Sequence, residues 1–164
     1  MDGSSIAMRQ LRVPRQRDGR TSFTNVVKHM RTQYEGGCLC GSVRYVCTAK
    51  PLHTFYCHCL DCQKETGGPF ATEIYVPASA LTIAGPLNKH TRIGSSGMPV
   101  HRNFCRNCGT VVLTEFEVEP AYVCVKACSL DDPSWLRPEF HVYVSSRQPW
   151  NAITDGLPQY EGDF

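Results

Sequence analysis

Ten cysteines in 164 residues constrain this chain more than any other feature of its sequence. The N-terminus shows no basic segment followed by an apolar one, so we expect no secretory signal and a cytoplasmic, reducing environment. Clustered cysteines that stay reduced are typical of metal ligands or catalytic thiols rather than of a disulfide framework. Seven of the ten form three clusters, C-x-C, C-H-C-x-x-C and C-x-x-C, made of Cys38, Cys40, Cys57, Cys59, Cys62, Cys105 and Cys108.

The first and third clusters together predict a closed four-cysteine zinc site. Structural zinc takes four ligands in a tetrahedron, with sulfur at about 2.3 Å. Alternate residues of a strand share a face, so Cys38 and Cys40 can aim both thiolates the same way, and flanking glycines allow them to converge. Cys105 and Cys108 form a zinc knuckle, followed by Gly109 where the turn suits a positive φ. Free cysteines are often buried as small apolar side chains, but that would not explain two pairs this close in sequence. We therefore expect a structural zinc here.

The middle cluster offers three sulfurs, those of Cys57, Cys59 and Cys62, and no fourth cysteine at comparable spacing. Three protein ligands with an open fourth position are typical of catalytic zinc. His58 leaves three alternatives: a fourth ligand, a proton-transferring or positioning group, or an exposed histidine without a role, which is the simplest. Neighbours in an extended chain point to opposite sides, so we expect its side chain to point away from the metal. His58 is the candidate catalytic residue.

A zinc ion on three thiolates keeps a net negative charge, which makes it a weaker Lewis acid than a zinc held by histidines. Activation of water for hydrolysis is therefore disfavoured. Such a centre suits the binding of a substrate thiol next to an electrophilic carbon, and the middle cluster thus favours thiol chemistry.

Three cysteines, Cys47, Cys124 and Cys128, stand outside the clusters. Nothing in their spacing indicates a metal or redox role. Free cysteine is among the most buried residue types, so we expect all three to pack in the core.

From Tyr34 onward, short β-like segments separated by Gly, Pro and Asn predict a mainly β domain. Their spacing suits a small zinc-stabilised β-sandwich of short antiparallel strands. One short helix is predicted at the middle cysteine cluster, from Cys59 to about Thr66, and Gly67 is predicted to end it. The predicted strands cover residues 42–47, 70–76, 81–84, 100–104, 110–114, 121–126 and 140–144.

Charge divides the chain into two parts. Residues 1–33 hold seven Lys or Arg against two Asp, a net +5, whereas residues 34–164 hold ten basic and thirteen acidic residues, a net −3. We predict that residues 1–33 form a basic, disordered extension and residues 34–164 the zinc domain. An arginine-rich organelle presequence is the alternative for the extension. No run of about 18 apolar residues occurs, which disfavours a membrane span, and a total charge of +2 disfavours a nucleic-acid partner.

The motifs, in this order, resemble those of the glutathione-dependent formaldehyde-activating enzyme family, which also contains centromere protein V. The resemblance runs from about Tyr34 to the C-terminus. It implies a mainly β fold with two zinc ions per chain. The structural ion would lie on the first and third clusters, and the catalytic ion on the middle cluster. The matching stretches are residues 36–45, 57–70, 102–110, 130–138 and 149–150.

The resemblance implies a carbon–sulfur lyase that joins formaldehyde to glutathione, with the open zinc position taking the thiol and the aldehyde held alongside. We therefore hypothesise a zinc-dependent lyase-type enzyme acting on a thiol adduct or small electrophile, with a small-molecule thiol such as glutathione as partner. The alternative is a non-catalytic zinc-stabilised binding module, like centromere protein V, whose basic residues 1–33 contact nucleic acid or protein. A third is a structural protein whose second zinc site is closed by His58 or a neighbouring chain. The oligomeric state is left open.

Overall fold

The structure, a computed structural model, describes residues 33–163. The predicted basic extension, apart from Gln33, lies outside the described residues. Ten strands and one α-helix, α1, make up the regular structure of the described part, together with three short 3-10 turns. The strands are β1 Tyr34–Gly37, β2 Arg44–Cys47, β3 His53–Cys57, β4 Ala71–Pro77, β5 Leu81–Ala84, β6 Leu87–Ile93, β7 Pro99–Cys105, β8 Val111–Phe116, β9 Tyr122–Lys126 and β10 Phe140–Val142; α1 is Leu60–Thr66.

The strands form two sheets, which confirms the predicted mainly β fold. One sheet has three strands in the order β1-β2-β5, and the other has seven in the order β10-β3-β4-β9-β8-β7-β6. The strand pairs are antiparallel, as predicted, with one exception among the described strands: β10 pairs with β3 in parallel. The long connection over residues 127–139 carries the chain to the far edge of the sheet, where it enters alongside β3 in the same direction.

The main core lies between the two sheets. It joins buried side chains of the small sheet, such as Tyr45 and Cys47, to buried side chains of the large one, such as Ile74, Val76 and Val125. Strand side chains alternate between faces, so the residues between these core positions point to the opposite face of the large sheet. That opposite face carries the candidate site.

All seven predicted strands are present, with small shifts at their ends. Three strands were not predicted from the sequence, namely β1, β3 and β6. β1 ends in two glycines, which weaken a strand pattern. β6 is a polar edge strand with only its first residue partly buried, so it lacks the apolar alternation by which strands are recognised.

The predicted helix is confirmed as α1, Leu60–Thr66. Cys59 is its N-cap in an extended conformation, and its sulfur accepts the N–H of Cys62. Gly67 ends the helix in the left-handed conformation at φ +66°, which glycine adopts without steric cost. No helix within residues 33–163 is long and apolar enough to cross a membrane.

Candidate functional site

Four cysteine sulfurs converge from two distant stretches of the chain. The Sγ atoms of Cys38, Cys40, Cys105 and Cys108 all lie within 4.8 Å of one another. The Sγ of Cys40 is 3.5 Å from that of Cys38 and 3.7 Å from that of Cys105. Sulfurs bound at about 2.3 Å to a tetrahedral ion lie about 3.8 Å apart. The four-cysteine cluster therefore has the dimensions of a metal site.

Two sulfurs of the four-cysteine cluster have hydrogen-bond partners outside the cluster. The N–H of Val43 donates to Cys38 Sγ at 3.2 Å. The Thr110 hydroxyl lies 3.2 Å from Cys108 Sγ, and this hydrogen bond is the main cause that lowers the pKa of Cys108 to about 5. Gly109 adopts φ +74°, as the sequence predicts for this turn. Local hydrogen bonds thus favour the thiolate form of Cys108, whereas burial raises the pKa of Cys105 to about 11.

The middle cluster forms a second group, of three sulfurs. Cys57 ends β3, Cys59 caps α1 and Cys62 lies in its first turn, and their Sγ atoms all lie within 4.8 Å of one another. Hydrogen bonds from the thiols of Cys57 and Cys62 lower the pKa of Cys59, while the two neighbouring sulfurs raise the pKa of Cys62. This three-cysteine cluster could hold a metal ion through three sulfurs. Within residues 33–163, no histidine or carboxylate joins it at that distance.

His58 points away from the three-cysteine cluster, but it is not exposed. Its side chain is fully buried, so the expectation of a solvent-exposed histidine is wrong. His58 Nε2 lies 2.8 Å from His141 Nδ1, and His141 Nε2 lies 3.0 Å from Asp155 Oδ2. Burial is the main cause that lowers the pKa of His58. The C-terminal part of the chain, which sequence reasoning did not connect to this site, supplies the packing that buries it.

The three-cysteine cluster opens onto a cavity of about 680 Å³ on the face of the large sheet opposite the core. The cavity follows from strand alternation: on β4, Glu73 and Tyr75 line it, while Ile74 and Val76 point into the core. Cys57 lies on the same face, as do residues of β7, β8 and β9. A metal ion on the three sulfurs would therefore face the cavity.

Buried and partly buried ion pairs lie beside the three-cysteine cluster. Lys126 Nζ lies 2.5 Å from Glu73 Oε1 and 2.9 Å from Glu65 Oε1. Arg102 donates to Glu65 at 2.8 Å and to Asp61 at 3.3 Å. Burial opposes the charge on Lys126, but Glu73, Cys62 and Glu65 outweigh it and raise the pKa of Lys126. The sequence contains no local signal for this network, because its members come from α1, β4, β7 and β9.

The three isolated cysteines have different environments. Cys47 and Cys124 are buried, as predicted, at 0% and 4% exposure. The prediction for Cys128 is wrong, because this residue is exposed. It lies in the 3-10 turn Ala127–Ser129 after β9, where Ala127 is the buried member.

Comparison with known proteins identifies the family. The sequence profile of the glutathione-dependent formaldehyde-activating enzyme family matches residues 33–146. A protein of Emericella nidulans, provisionally named as such an enzyme, is 31% identical over 100 residues, which cover 58% of this chain and 50% of that protein. A protein of Colletotrichum graminicola with the same provisional name is 26% identical over 132 residues, covering 71% of this chain and 69% of that protein.

A relative from Schizosaccharomyces pombe, named an uncharacterised lyase, is 28% identical over 82 residues and covers 49% of this chain and 56% of that protein. The chain thus spans about half the length of two of these relatives. A crystal structure of a Rhodobacter sphaeroides protein is similar over 77% of this chain and 98% of that one, at 18% identity and a TM-score of 0.49. Since the family profile spans residues 33–146, including both cysteine clusters, the chain belongs to the glutathione-dependent formaldehyde-activating enzyme family.

Proposed function

We propose that this chain is a zinc-dependent carbon–sulfur lyase-type enzyme that forms or cleaves the bond between a small-molecule thiol and a small aldehyde. The observation that carries the proposal is the three-cysteine cluster, which opens onto a large cavity and which no histidine or carboxylate among residues 33–163 joins as a fourth member. The nearby carboxylate of Glu73, 3.9 Å from Cys62 Sγ, is paired with Lys126. Three protein ligands and an open position are typical of a catalytic metal site. The family and the provisional names of the relatives support the same reaction class.

The two cysteine clusters would have different roles. The four-cysteine cluster would hold a structural zinc ion, since its four sulfurs leave no position for a substrate. The three-cysteine cluster would hold a second zinc ion, which supplies a site where a thiol binds as its nucleophilic thiolate. The donor set agrees with this, because thiolate sulfur is a preferred ligand of zinc.

In the proposed reaction the sulfur of the thiol adds to the carbonyl carbon of the aldehyde. The new C–S bond forms, the electron pair of the C=O double bond moves to oxygen, and the thiol proton ends on that oxygen. The reverse reaction breaks the C–S bond and restores thiol and aldehyde. Atoms and electrons balance without an oxidant or reductant, so the proposal needs no redox partner.

The protein holds the loop around the three-cysteine cluster with several hydrogen bonds. Gln63 donates to the carbonyl oxygen of His58 at 2.5 Å and to that of Ser146 at 2.9 Å, and Gln148 donates to Gln63 at 2.7 Å. The N–H of His58 donates to the carbonyl oxygen of Val142 at 2.9 Å. These hydrogen bonds hold the loop between two of the cysteines against the C-terminal segment. They would keep the sulfurs aimed at the cavity.

The test combines metal analysis with a rate measurement. We expect about two zinc ions per chain in the purified protein, and exchange between formaldehyde and a thiol faster than the uncatalysed exchange, as followed by NMR. Cys59→Ser should remove the acceleration and about one zinc ion. Cys128→Ser is the matched control, because Cys128 is exposed and belongs to neither cluster. Full activity in the Cys59 variant would contradict the proposal.

A further inference from the structure

Tyr143, which follows β10, has a backbone conformation that its residue type rarely adopts. Its φ is +56° and its ψ is +39°, in the left-handed region, and among residues 33–163 it is the one residue other than glycine with a positive φ. The N–H of Tyr143 donates to the carbonyl oxygen of Gly162 at 2.8 Å, and its own carbonyl oxygen accepts the N–H of Ser146 at 3.1 Å. The fold thus maintains a strained conformation, and such residues cluster at functional sites.

The left-handed conformation directs the side chain of Tyr143 into the cavity. Successive residues of an extended strand point to opposite faces of a sheet. Val142, the last residue of β10, lines the cavity, so an extended residue after it would point away. Tyr143 nevertheless lines the same cavity. The turn therefore adds a second consecutive side chain to the cavity face.

The ring of Tyr143 lies beside the three-cysteine cluster. Val142 pairs with Cys57 in the parallel ladder of β10 and β3, which places the next residue at the end of β3 where the cluster begins. Tyr143 packs against the same group of buried side chains as Cys59 and Cys62. Burial raises the pKa of Tyr143 above its ordinary value, so the phenol keeps its proton at neutral pH and is a hydrogen-bond donor.

The hydroxyl of Tyr143 is oriented by the protein but not held tightly as a donor. Ser95, in the connection between β6 and β7, also lines the cavity, and its Oγ lies 2.8 Å from the Tyr143 hydroxyl. The phenol donates to Asp163 Oδ2 at 3.4 Å, which is longer than the usual O–H···O distance of about 2.5–3.0 Å. A ligand oxygen at the usual distance would compete well for the phenol hydrogen.

Two other candidate proton-bearing groups are less well placed. The hydroxyl of Tyr75 donates to the carboxylate of Glu119. On β4, Tyr75 lies four residues beyond Ala71, the partner of Cys57, which is ~13 Å along the strand. His58 is not among the described residues that line the cavity, because its ring points away from the cluster.

We infer that Tyr143 is a catalytic residue whose hydroxyl donates a hydrogen bond to the aldehyde oxygen while the C–S bond forms or breaks. As the sulfur adds to the carbonyl carbon, the electron pair of the C=O double bond moves to oxygen, and negative charge develops there. The phenol stabilises this charge and keeps its own proton, and the thiol proton reaches the oxygen through solvent. A donor fixed in advance where charge develops lowers the barrier. The inference rests on the proposed function, because it names the group that acts on the aldehyde in that reaction.

Tyr143→Phe tests the inference in the full-length, zinc-loaded protein, because it removes the hydroxyl and keeps the ring. The rate constant of exchange at saturating glutathione and formaldehyde should fall about 100-fold, the usual effect of removing one such donor. The KM for formaldehyde should stay within about threefold, because the hydrogen bond strengthens only as charge develops. Zinc content and melting temperature should match those of the parent. A fall in the rate constant of less than about tenfold overturns the inference.

Tyr160→Phe is the matched control. Tyr160 lies in the same C-terminal part of the chain, its substitution also removes one phenol hydroxyl, and it is not among the described residues that line the cavity. This variant should keep the parent rate constant. Equal losses in the two variants would overturn the inference, since they would show a general effect of the C-terminal segment.

A spectroscopic measurement provides a readout that does not depend on turnover. Tyrosine labelled with ¹³C at Cζ gives one NMR signal per residue, and the signal of Tyr143 is the one absent from Tyr143→Phe. We expect this signal to move when formaldehyde is added to protein saturated with glutathione, and to move less with glutathione alone. A signal that formaldehyde leaves in place overturns the inference.

The outcomes separate this inference from the proposed function. Accelerated exchange by the parent together with an undiminished rate in Tyr143→Phe overturns the inference and leaves the proposed function standing. Absence of acceleration by the zinc-loaded parent overturns both.

Discussion

Two serine substitutions separate the two cysteine clusters: Cys105→Ser in the four-cysteine cluster and Cys59→Ser in the three-cysteine cluster. Each replaces one sulfur by oxygen with little change in volume, so a difference between them reports on the cluster rather than on the size of the side chain. We expect Cys105→Ser to unfold the domain and Cys59→Ser to leave it folded.

The expected loss of folding stability for Cys105→Ser follows from the position of the Cys105 sulfur. Cys105 is fully buried in the main core and lies 3.7 Å from Cys40 Sγ, 65 residues earlier in the chain. Structural zinc in finger peptides binds with about 10–16 kcal/mol, and a domain is stable by only about 5–15 kcal/mol. Loss of half of the lower binding value, about 5 kcal/mol, already equals the lower stability value. The domain should therefore be largely unfolded at room temperature.

The expected loss of folding stability for Cys59→Ser is smaller for two reasons. Serine is a favoured N-cap residue, so it keeps the hydrogen bond from the Cys62 N–H that Cys59 accepts at the start of α1. The three-cysteine cluster also closes a much shorter loop than the four-cysteine cluster. The closure entropy of a loop grows with the logarithm of its length, so the longer loop gains about 2 kcal/mol more from being closed by a metal. Loss of an N-cap costs about 1 kcal/mol, and since serine keeps this cap we expect a smaller cost in the fold itself.

The assay compares both variants with the parent protein at one molar equivalent of zinc, so that the four-ligand cluster is filled first. Circular dichroism at 25 °C and thermal melting report folding, and metal analysis reports occupancy. A cooperative melt is expected for Cys59→Ser and none for Cys105→Ser. Similar melts for the two variants would refute the division into structural and catalytic clusters.

Two further substitutions test the packing around the site. Lys126→Met should cost about 3–5 kcal/mol in urea unfolding, because it leaves the buried carboxylate of Glu73 without its cation, whereas Lys89→Met on the surface should cost about 0–1 kcal/mol. Equal urea midpoints for these two variants would contradict the role given to the buried pair. Gly36→Ala should lower stability by about 1–3 kcal/mol in the same assay, since an added Cβ would collide with the hydroxyl of Tyr45. An unchanged urea midpoint for Gly36→Ala would contradict this prediction, because it would mean that β1 moves to accommodate the added methyl group.

The sequence predicts those parts of the molecule whose signals are local. The C-x-C, C-H-C-x-x-C and C-x-x-C motifs and the short helix after Cys57 depend on spacing within a few residues. The structure brings the first and third motifs together as the four-cysteine cluster. The polar edge strand β6, Leu87–Ile93, is not predictable in this way, because only hydrogen bonding to β7 makes it a strand. The parallel pairing of β10 with β3 is not predictable from local sequence either, because it depends on where the long connection over residues 127–139 leads the chain.

The environment of the site is less predictable than its sulfurs. Glu73 and Lys126 pair across neighbouring strands β4 and β9, which are 53 residues apart in sequence. Neither residue stands in a motif, and an isolated Glu or Lys in a sequence is most often a solvated side chain. His58 shows the same limit, because its burial depends on contact with His141, 83 residues away. Contacts between residues far apart in sequence decide these environments, and a single sequence shows no local pattern that indicates such contacts.

The charge balance beside the three-cysteine cluster follows from the way the fold brings distant residues together. A buried lysine is stable only beside compensating negative charge, and Lys126 is held by Glu65, Glu73 and the nearby sulfur of Cys62. The protein therefore uses its buried cations to balance its own carboxylates and thiols. Glu65 and Glu73 are thus paired with Lys126, and Asp61 and Glu65 with Arg102. Loss of Lys126 would leave buried carboxylate charge uncompensated beside the cysteines, which is why Lys126→Met is expected to cost much more than Lys89→Met.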